Sequence, residues 1–493
     1  MLTVLILFVI FLVLYLACRR PATLPPGVWG LPVVGKLPTT SVDLCTQVDQ
    51  LRNKYGDIIM WRMGCQINVF LCDYNIIKKV FARPEFSYRP DYFTYSIWGE
   101  GQMLGIIFGN GEAWKNSRRF ALRQLRDLGM GKTRLEEAIQ YEATCLVHNF
   151  RQHTGKAQPL PMSVGVAVLN IIWKMVADTR YEMDDPKGHK FIRLVQDVCQ
   201  SLQGPIFIFN LFPVLLHLAP PFIKKKLGYY TLKKITSEII EFVSEFIEDH
   251  KATLNPSQPR DLIDHLLLEH NNNNTQHIPI SYDEEMNMRV VVSDLFFAGA
   301  ETTTAMVHWS LCYLIKYPIV QHNIQKEIDA SFPKGTLPYY SERNKLPYLE
   351  ATIHEIHRIV SLTPMSVAHS VTQDTQLEGY TLPKGTVVLA YTESCHRNPQ
   401  LWERPHQFYP EHFLNTDGSF KSRTEGFMPF GTGRRSCAGE SLAKVELFVL
   451  LVALLQNFTF TKPPGESITT EKDPNVIIIN TAKPFNVIIT ERQ

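Results

Sequence analysis

No two of the nine cysteines are spaced as CxxC; they stand singly at positions 18, 45, 65, 72, 145, 199, 312, 395 and 437. A zinc ribbon and a thioredoxin-type redox site are thereby excluded. A chain of 493 residues can build its own core without disulfides, and scattered thiols point to a reducing compartment. An excess of one charge is missing as well. Fifty Lys and Arg stand against 48 Asp and Glu, a net of +2, too little to bind nucleic acid through bulk positive charge. There is no internal repeat and no strand–helix alternation, which counts against a solenoid and against a doubly wound α/β sheet. Only one long uncharged apolar run exists, so a multi-span membrane protein is excluded. A hydrophobic share of 45% against 20% charged residues excludes disorder as the dominant state.

That one run is MLTVLILFVIFLVLYLA, at the N-terminus. As a helix it is about 25 Å long, close to the thickness of the endoplasmic reticulum bilayer. Arg19 and Arg20 follow at once, and the positive-inside rule keeps them cytosolic. The run lacks a basic n-region and exceeds a usual signal-peptide core, so residues 1–18 read as a single-pass transmembrane anchor. Residues 19–36 carry Pro21, Pro25, Pro26, Gly27, Gly30 and Pro32 and read as a stiff hinge.

Residues 37–493 read as one large, mainly α domain with small β-sheets. Strands are expected at Ile58–Met63, Gln66–Cys72 and Thr386–Ala390, and two more around Pro484. The run Asn271–Asn274 reads as an exposed loop. Phe207–Lys226, FIFNLFPVLLHLAPPFIKKK, reads as a segment dipping into a membrane surface with its lysines at headgroup level.

Four patterns carry chemistry. The first is FMPFGTGRRSCAGE, residues 427–440, a glycine-rich turn ending at Cys437 just before a strongly apolar helix. There the helix dipole favours a thiolate, and Gly431, Gly433 and Gly439 allow positive φ or close approach of a flat object. The second is AGAETTT inside the apolar helix pattern Val290–Tyr317. Ala298 and Thr302 share a face, and the Thr302 hydroxyl can bond back to the Ala298 carbonyl and open the helix locally. Gly299 is expected to let a flat cofactor or dioxygen approach. The third is Glu355 with Arg358, an i,i+3 pair in the helix pattern Leu349–Val360. The fourth is Trp114 with Arg118, one face of a helix with an indole and a guanidinium donor.

Phe430, Gly431, Gly433, Arg435, Cys437 and Gly439 match the haem-binding loop of cytochrome P-450 enzymes, and the other three patterns follow in that family's order. The whole chain resembles an animal microsomal P-450 of the family-two group. The resemblance implies the P-450 fold, a single haem domain behind its anchor, and a haem b whose iron takes the Cys437 thiolate. It implies haem-propionate contacts from Trp114, Arg118, His369 and Arg435. Arg89 is a further candidate, equally readable as a solvated arginine. Phe430, Gly439 and Ala298 would border the cofactor. Glu301 and Thr302 would be the acid–alcohol pair that delivers protons during dioxygen activation. Glu355, Arg358 and His412 would be structural; many family members carry Arg where this chain has His412.

The implied activity is an NADPH-dependent, unspecific-type monooxygenase. One oxygen atom of O2 enters a lipophilic substrate by hydroxylation or epoxidation. Haem-thiolate isomerases and dehydratases often lack the acid–alcohol pair, so Glu301 and Thr302 favour the monooxygenase. No GxGxxG fingerprint is present, so electrons are expected from NADPH–cytochrome P-450 reductase, with cytochrome b-five as a second partner. Arg118, Arg119, Arg123, Arg126, Lys132 and Arg134 form a basic stretch that suits an acidic partner. By position, Leu104, Ile107, Phe108, Phe296, Phe297, Ala300, Leu362, Val367 and Ile479 would line the substrate pocket. All are apolar, which suits a lipophilic small molecule and leaves fatty acids, steroids, eicosanoids and foreign compounds open. The implied location is the endoplasmic reticulum membrane with the catalytic domain cytosolic, and no nucleic-acid partner is expected.

Overall fold

The computed structural model describes residues 20–39, 42–129, 133–202, 204–275, 280–422, 425–473 and 478–493. The expected anchor and Lys132 lie outside the described residues. The domain is organised around the helix Glu284–Lys316. It starts six residues before the expected Val290 because Asp283 caps it, accepting from the Met286 amide at 2.9 Å, and because Glu284 and Glu285 suit the positive end of its dipole. Pro318 ends it. The helix is long and apolar enough to cross a membrane, but 67% of its most apolar stretch is buried inside the protein. It is the core of the domain.

Around it pack Ser163–Val176, Tyr229–Thr253, Pro347–Val360 and Glu440–Asn457. Ser163–Val176 and Glu440–Asn457 are apolar almost all round and buried almost throughout, as an interior helix must be. The β-structure is peripheral. A five-stranded sheet runs in the order Gly27–Val28, Ile58–Met63, Gln66–Leu71, Val387–Ala390, His369–Ser370, so the three expected strands are present. A three-stranded sheet joins Ala157–Pro159, Asn486–Glu491 and Phe458–Thr461.

Two local expectations change. The asparagine run is not a loop: the helix Leu262–Thr275 continues through it. Asparagine costs a helix only several tenths of a kcal/mol, and Asn273 gains a 2.7 Å bond to Glu284 of the central helix. Near Pro484, only Asn486–Glu491 is a full strand; on the N-terminal side the described residues hold a single bridge, Lys472 to Ala482.

Behind the sheet, Glu355 and Arg358 are fully buried and bound bidentately at 2.7 and 2.6 Å. Arg358 also donates to the carbonyls of His396, Pro405 and Gln407, and Glu355 accepts from the Tyr409 amide. His412 completes the set. Its Nε2 accepts from the Arg404 amide, so the ring proton sits on Nδ1 and is donated to Glu355 at 3.1 Å. The third partner is thus a neutral imidazole. It leaves the pair one carboxylate to one guanidinium, which a third charged residue would not.

His250, Asp261 and Asp264 lie close enough to hold a metal ion, but the cluster is closed. Arg260 takes both oxygens of Asp264, and His250 donates to the Phe246 carbonyl and to Asp261. Burial opposes the His250 charge, yet Asp261 and the Phe246 carbonyl outweigh it and raise its pKa above 6.5. A pKa raised in the fold adds stability that is fully present below the unfolded value and is lost as pH rises through the folded value. His250→Gln should therefore lose stability at acidic pH and converge on the wild type at alkaline pH, read from denaturant midpoints. Glu355→Ala strands a buried guanidinium and should cost about 3–5 kcal/mol, read by thermal unfolding.

Candidate active site

The cysteine loop is built by close backbone approach. Gly433 has φ 76°, and a Cβ there would lie 2.0 Å from the Phe81 carbonyl oxygen, so no side chain fits. The loop closes through the Cys437 amide onto the Phe430 carbonyl at 2.9 Å. Glu440–Asn457 then springs from it. The Cys437 side chain is exposed. The protein packed around its sulfur and the Glu440 charge raise its pKa, while the Gly439 amide and the Arg118 charge pull it down. A bound metal cation would complete the deprotonation.

Trp114 and Arg118 lie on the helix Gly111–Asp127. Arg118 donates to the Ser436 carbonyl at 2.6 Å, which docks this helix on the cysteine loop. The Arg435 guanidinium stacks 3.7 Å from the Trp114 ring centroid and donates to the carbonyls of Ser87, Ile106 and Gly109. His369 is buried, stacked on Phe81 at 3.9 Å, with Nδ1 bonded to the Phe86 carbonyl at 2.6 Å. Burial and the charges of Arg89 and Arg435 hold it neutral, so Nε2 is the free nitrogen. Arg89 is no solvated arginine. It is buried and clamps the carbonyls of Ile107, Val367 and Ala368.

Three guanidiniums thus converge beside the cysteine. Burial and the charges of Arg89 and Arg118 press the Arg435 pKa down. A guanidinium does not release its proton, so the cluster is an unmet demand for anions. The Trp114 Nε1 is buried without a partner. A thiolate flanked by an orphaned indole donor and clustered guanidiniums fits a haem, which brings an iron and two carboxylates.

Spacing did not single out Asp294, which connects this cluster to the central helix. Its carboxylate accepts from the amides of Ile106 and Ile107 at 2.6 and 2.9 Å, and burial pushes it up to about 7 against those amides and Arg435. The signal was available: it is the one carboxylate in the apolar run 290–300.

On the central helix, Thr302 donates to the Ala298 carbonyl at 2.7 Å, as expected. Ala298 is exposed in a helix otherwise largely buried. The neighbouring positions point elsewhere, since each residue turns about 100° from the last. A Cβ at Gly299 would meet Ile172 at 2.4 Å, so this glycine admits the helix Ser163–Val176 and not a flat cofactor. Phe296 is fully buried against Trp173 and Phe191, at 3.9 and 5.7 Å. Ala300 faces Gly165, Ile192 and Val195. Both belong to the helix packing and not to a substrate pocket on the Ala298 face. Glu301 meets Gln196 of the helix Pro186–Ser201, and burial pushes its carboxyl up to about 7.

The remaining pocket candidates sit on the loops and the helix that surround this face. Phe108 stacks on Tyr95 at 4.2 Å, and Phe297 lies 5.9 Å from Trp98. Leu104 precedes Gly105, whose amide Asn287 holds, and the Ile107 amide is itself held by Asp294. Leu362 is joined to the last segment, its carbonyl accepting from the Asn480 amide beside Ile479, and Val367 is held by Arg89.

A sequence profile of the family described as Cytochrome P450 matches residues 25–489. The chain is 50% identical to cytochrome P450 2L1 of Panulirus argus over 480 residues, 97% of each chain. It is 38% identical to cytochrome P450 2B4 of Oryctolagus cuniculus, across 90% of this chain and 89% of the other. Identity to cytochrome P450 2B19 of Mus musculus is 36%, across 92% and 91%. With a thiol loop, a guanidinium cluster and an alcohol-bearing helix in these positions, the chain belongs to the cytochrome P450 family and is similar to its family-two members.

Proposed function

We propose that Cys437 supplies the axial thiolate of the haem, and that Trp114, Arg118 and Arg435 receive its carboxylates beside His369. As a family member the chain is a haem-thiolate monooxygenase acting on lipophilic substrates. The observation that carries the residue assignment is the orphaned Trp114 Nε1 within a guanidinium cluster docked on the cysteine loop. The bound haem supplies dioxygen activation. The protein supplies the rest. Thr302, bonded to the Ala298 carbonyl, holds a hydroxyl beside the exposed Ala298. Glu301, near neutrality in its pKa, holds a proton one residue away. Leu104, Ile107, Phe108, Phe297, Leu362, Val367 and Ile479 keep the space above apolar.

The electron donor is NADPH–cytochrome P-450 reductase, with cytochrome b-five as a second partner. Support comes from Arg119, Arg123 and Arg126, exposed along one face of the helix whose other face holds Trp114. Arg118 faces the cysteine loop instead.

The location is the endoplasmic reticulum membrane, with residues 1–18 as a single-pass anchor and residues 19–36 as a hinge. Two exposed apolar tracts support a membrane-facing side. Leu31, Val33 and Val34 form one; Val214, Leu218 and Phe222 form the other, on the short helices Val214–Leu218 and Pro221–Lys226. They flank a single turn, where the Gly64 amide bonds the Val34 carbonyl and the Cys65 amide the Leu211 carbonyl. Lysines 224–226 follow at headgroup level.

Cys437→Ala should abolish the thiolate signature of the ferrous–carbonyl spectrum; an unchanged spectrum would sink the assignment. Trp114→Phe keeps a ring beneath Arg435 but removes the donor. It should weaken haem retention about tenfold, the worth of a hydrogen bond to a charged group, measured by haem transfer to an apo-acceptor. The substrate class follows from titrating the purified enzyme with fatty acids, steroids and drug-like aromatics and reading the spin-state shift.

A further inference from the structure

Three consecutive threonines follow Glu301, and they do different things. Thr302 and Thr304 fold back on their own helix, to the carbonyls of Ala298 and Ala300. Thr303 reaches across. Its hydroxyl donates to Glu446 Oε2 at 3.1 Å. Glu446 is 1% exposed, on the helix Glu440–Asn457, among Val445, Leu447, Phe448, Val449 and Leu450. Its second oxygen, Oε1, is buried without a partner.

A carboxyl in such a place is costly, and a leucine would pack there without penalty. Its two influences are burial, which pushes it up to about 8, and the Thr303 hydroxyl, which opposes that. Charged neighbours on the packed elements are engaged elsewhere. Glu440 pairs with Lys444, Glu142 with Arg180, and Glu350 lies beside Arg343 and His354. Glu327 accepts from two amides, Glu301 meets Gln196, and burial keeps His308 and His357 neutral.

We propose that Glu446 is a positioning residue for the oxygenation reaction: by accepting from Thr303, its buried carboxyl ties the threonine turn of the central helix to the helix that springs from the cysteine loop. It thereby fixes the Thr302 hydroxyl relative to the Cys437 sulfur. No other side-chain hydrogen bond among the described residues joins these two helices. The inference rests on the haem-thiolate reading, because only there do the two helices face one reaction.

The test uses the full-length holoenzyme with reductase and a substrate that gives a spin-state shift. Product formed per NADPH consumed is measured from pH 6.5 to 9.5 for the wild type, E446Q, E446L and T303V. The Glu446→Gln amide keeps the bond to Thr303 and cannot ionise. Ionised Glu446 would still accept from Thr303, but it would strand an uncompensated charge on the partnerless Oε1 between the two helices and draw water in. The wild type should therefore hold its coupling up to about pH 8 and lose it above, while E446Q stays flat. E446L and T303V should be uncoupled about threefold or more at every pH, as a displaced catalytic group would be. Titrations of Asp294 and Glu301 are common to both enzymes, so the difference between wild type and E446Q isolates Glu446. An E446Q profile that falls with the wild type would overturn the proposal, as would wild-type coupling in E446L or T303V. If E446L fails to hold haem, the comparison of E446Q with wild type still decides. A wild type lacking the thiolate band would instead remove the haem reading itself.

Discussion

Arg435 is the node on which the site depends. Its guanidinium lies on the Trp114 ring and takes three backbone carbonyls from the segment 87–109. One side chain thereby joins the cysteine loop, the helix Gly111–Asp127 and the loop above it. Asp294 extends the connection by holding the next two amides of that loop from the central helix. A planar donor fork can do this and a lysine cannot. The same cation is crowded by Arg89 and Arg118, so under the proposed haem assignment scaffold and cofactor recognition would share one group.

The central helix works by directing successive residues to different neighbours. Ala298 and Thr302 lie on the side of the helix that is left open. Gly299 admits a neighbouring helix, Ala300 and Phe296 fill the core, and Glu301 turns to Gln196. The acid and the alcohol are adjacent in sequence but do not share a surface. The Thr302 hydroxyl bonds back to the Ala298 carbonyl, while the Glu301 carboxyl is drawn to a neighbouring helix.

Behind the site, rigidity comes from buried polar groups that are fully partnered. Glu355, Arg358 and His412 satisfy one another and five backbone groups. Such a network holds its geometry because every change leaves a buried charge or dipole unpaired. Around Val214–Leu218 and Pro221–Lys226 the organisation differs: short helices with no buried residue and with Val214, Leu218 and Phe222 exposed.

Much of this was legible in the sequence where the information is local. The glycines and arginine around Cys437, the i,i+3 spacing of Glu355 and Arg358, and the i,i+4 spacing of Trp114 with Arg118 and of Ala298 with Thr302 each fix a shared face or a tight turn. They do so because helix period and backbone sterics act over a few residues. The longest helix was found for the same reason, and its start was misplaced only where Asp283, a cap, preceded the apolar pattern. Which neighbour each face meets was not legible. Gly299 against Ile172, Asp294 against the amides of 106 and 107, Phe296 against Trp173 and Thr303 against Glu446 all join residues more than a hundred positions apart. The sequence by itself determined the reactive groups and their local spacing. Only the tertiary structure decided which of them point at one another, because packing between distant helices chooses which face is turned inward.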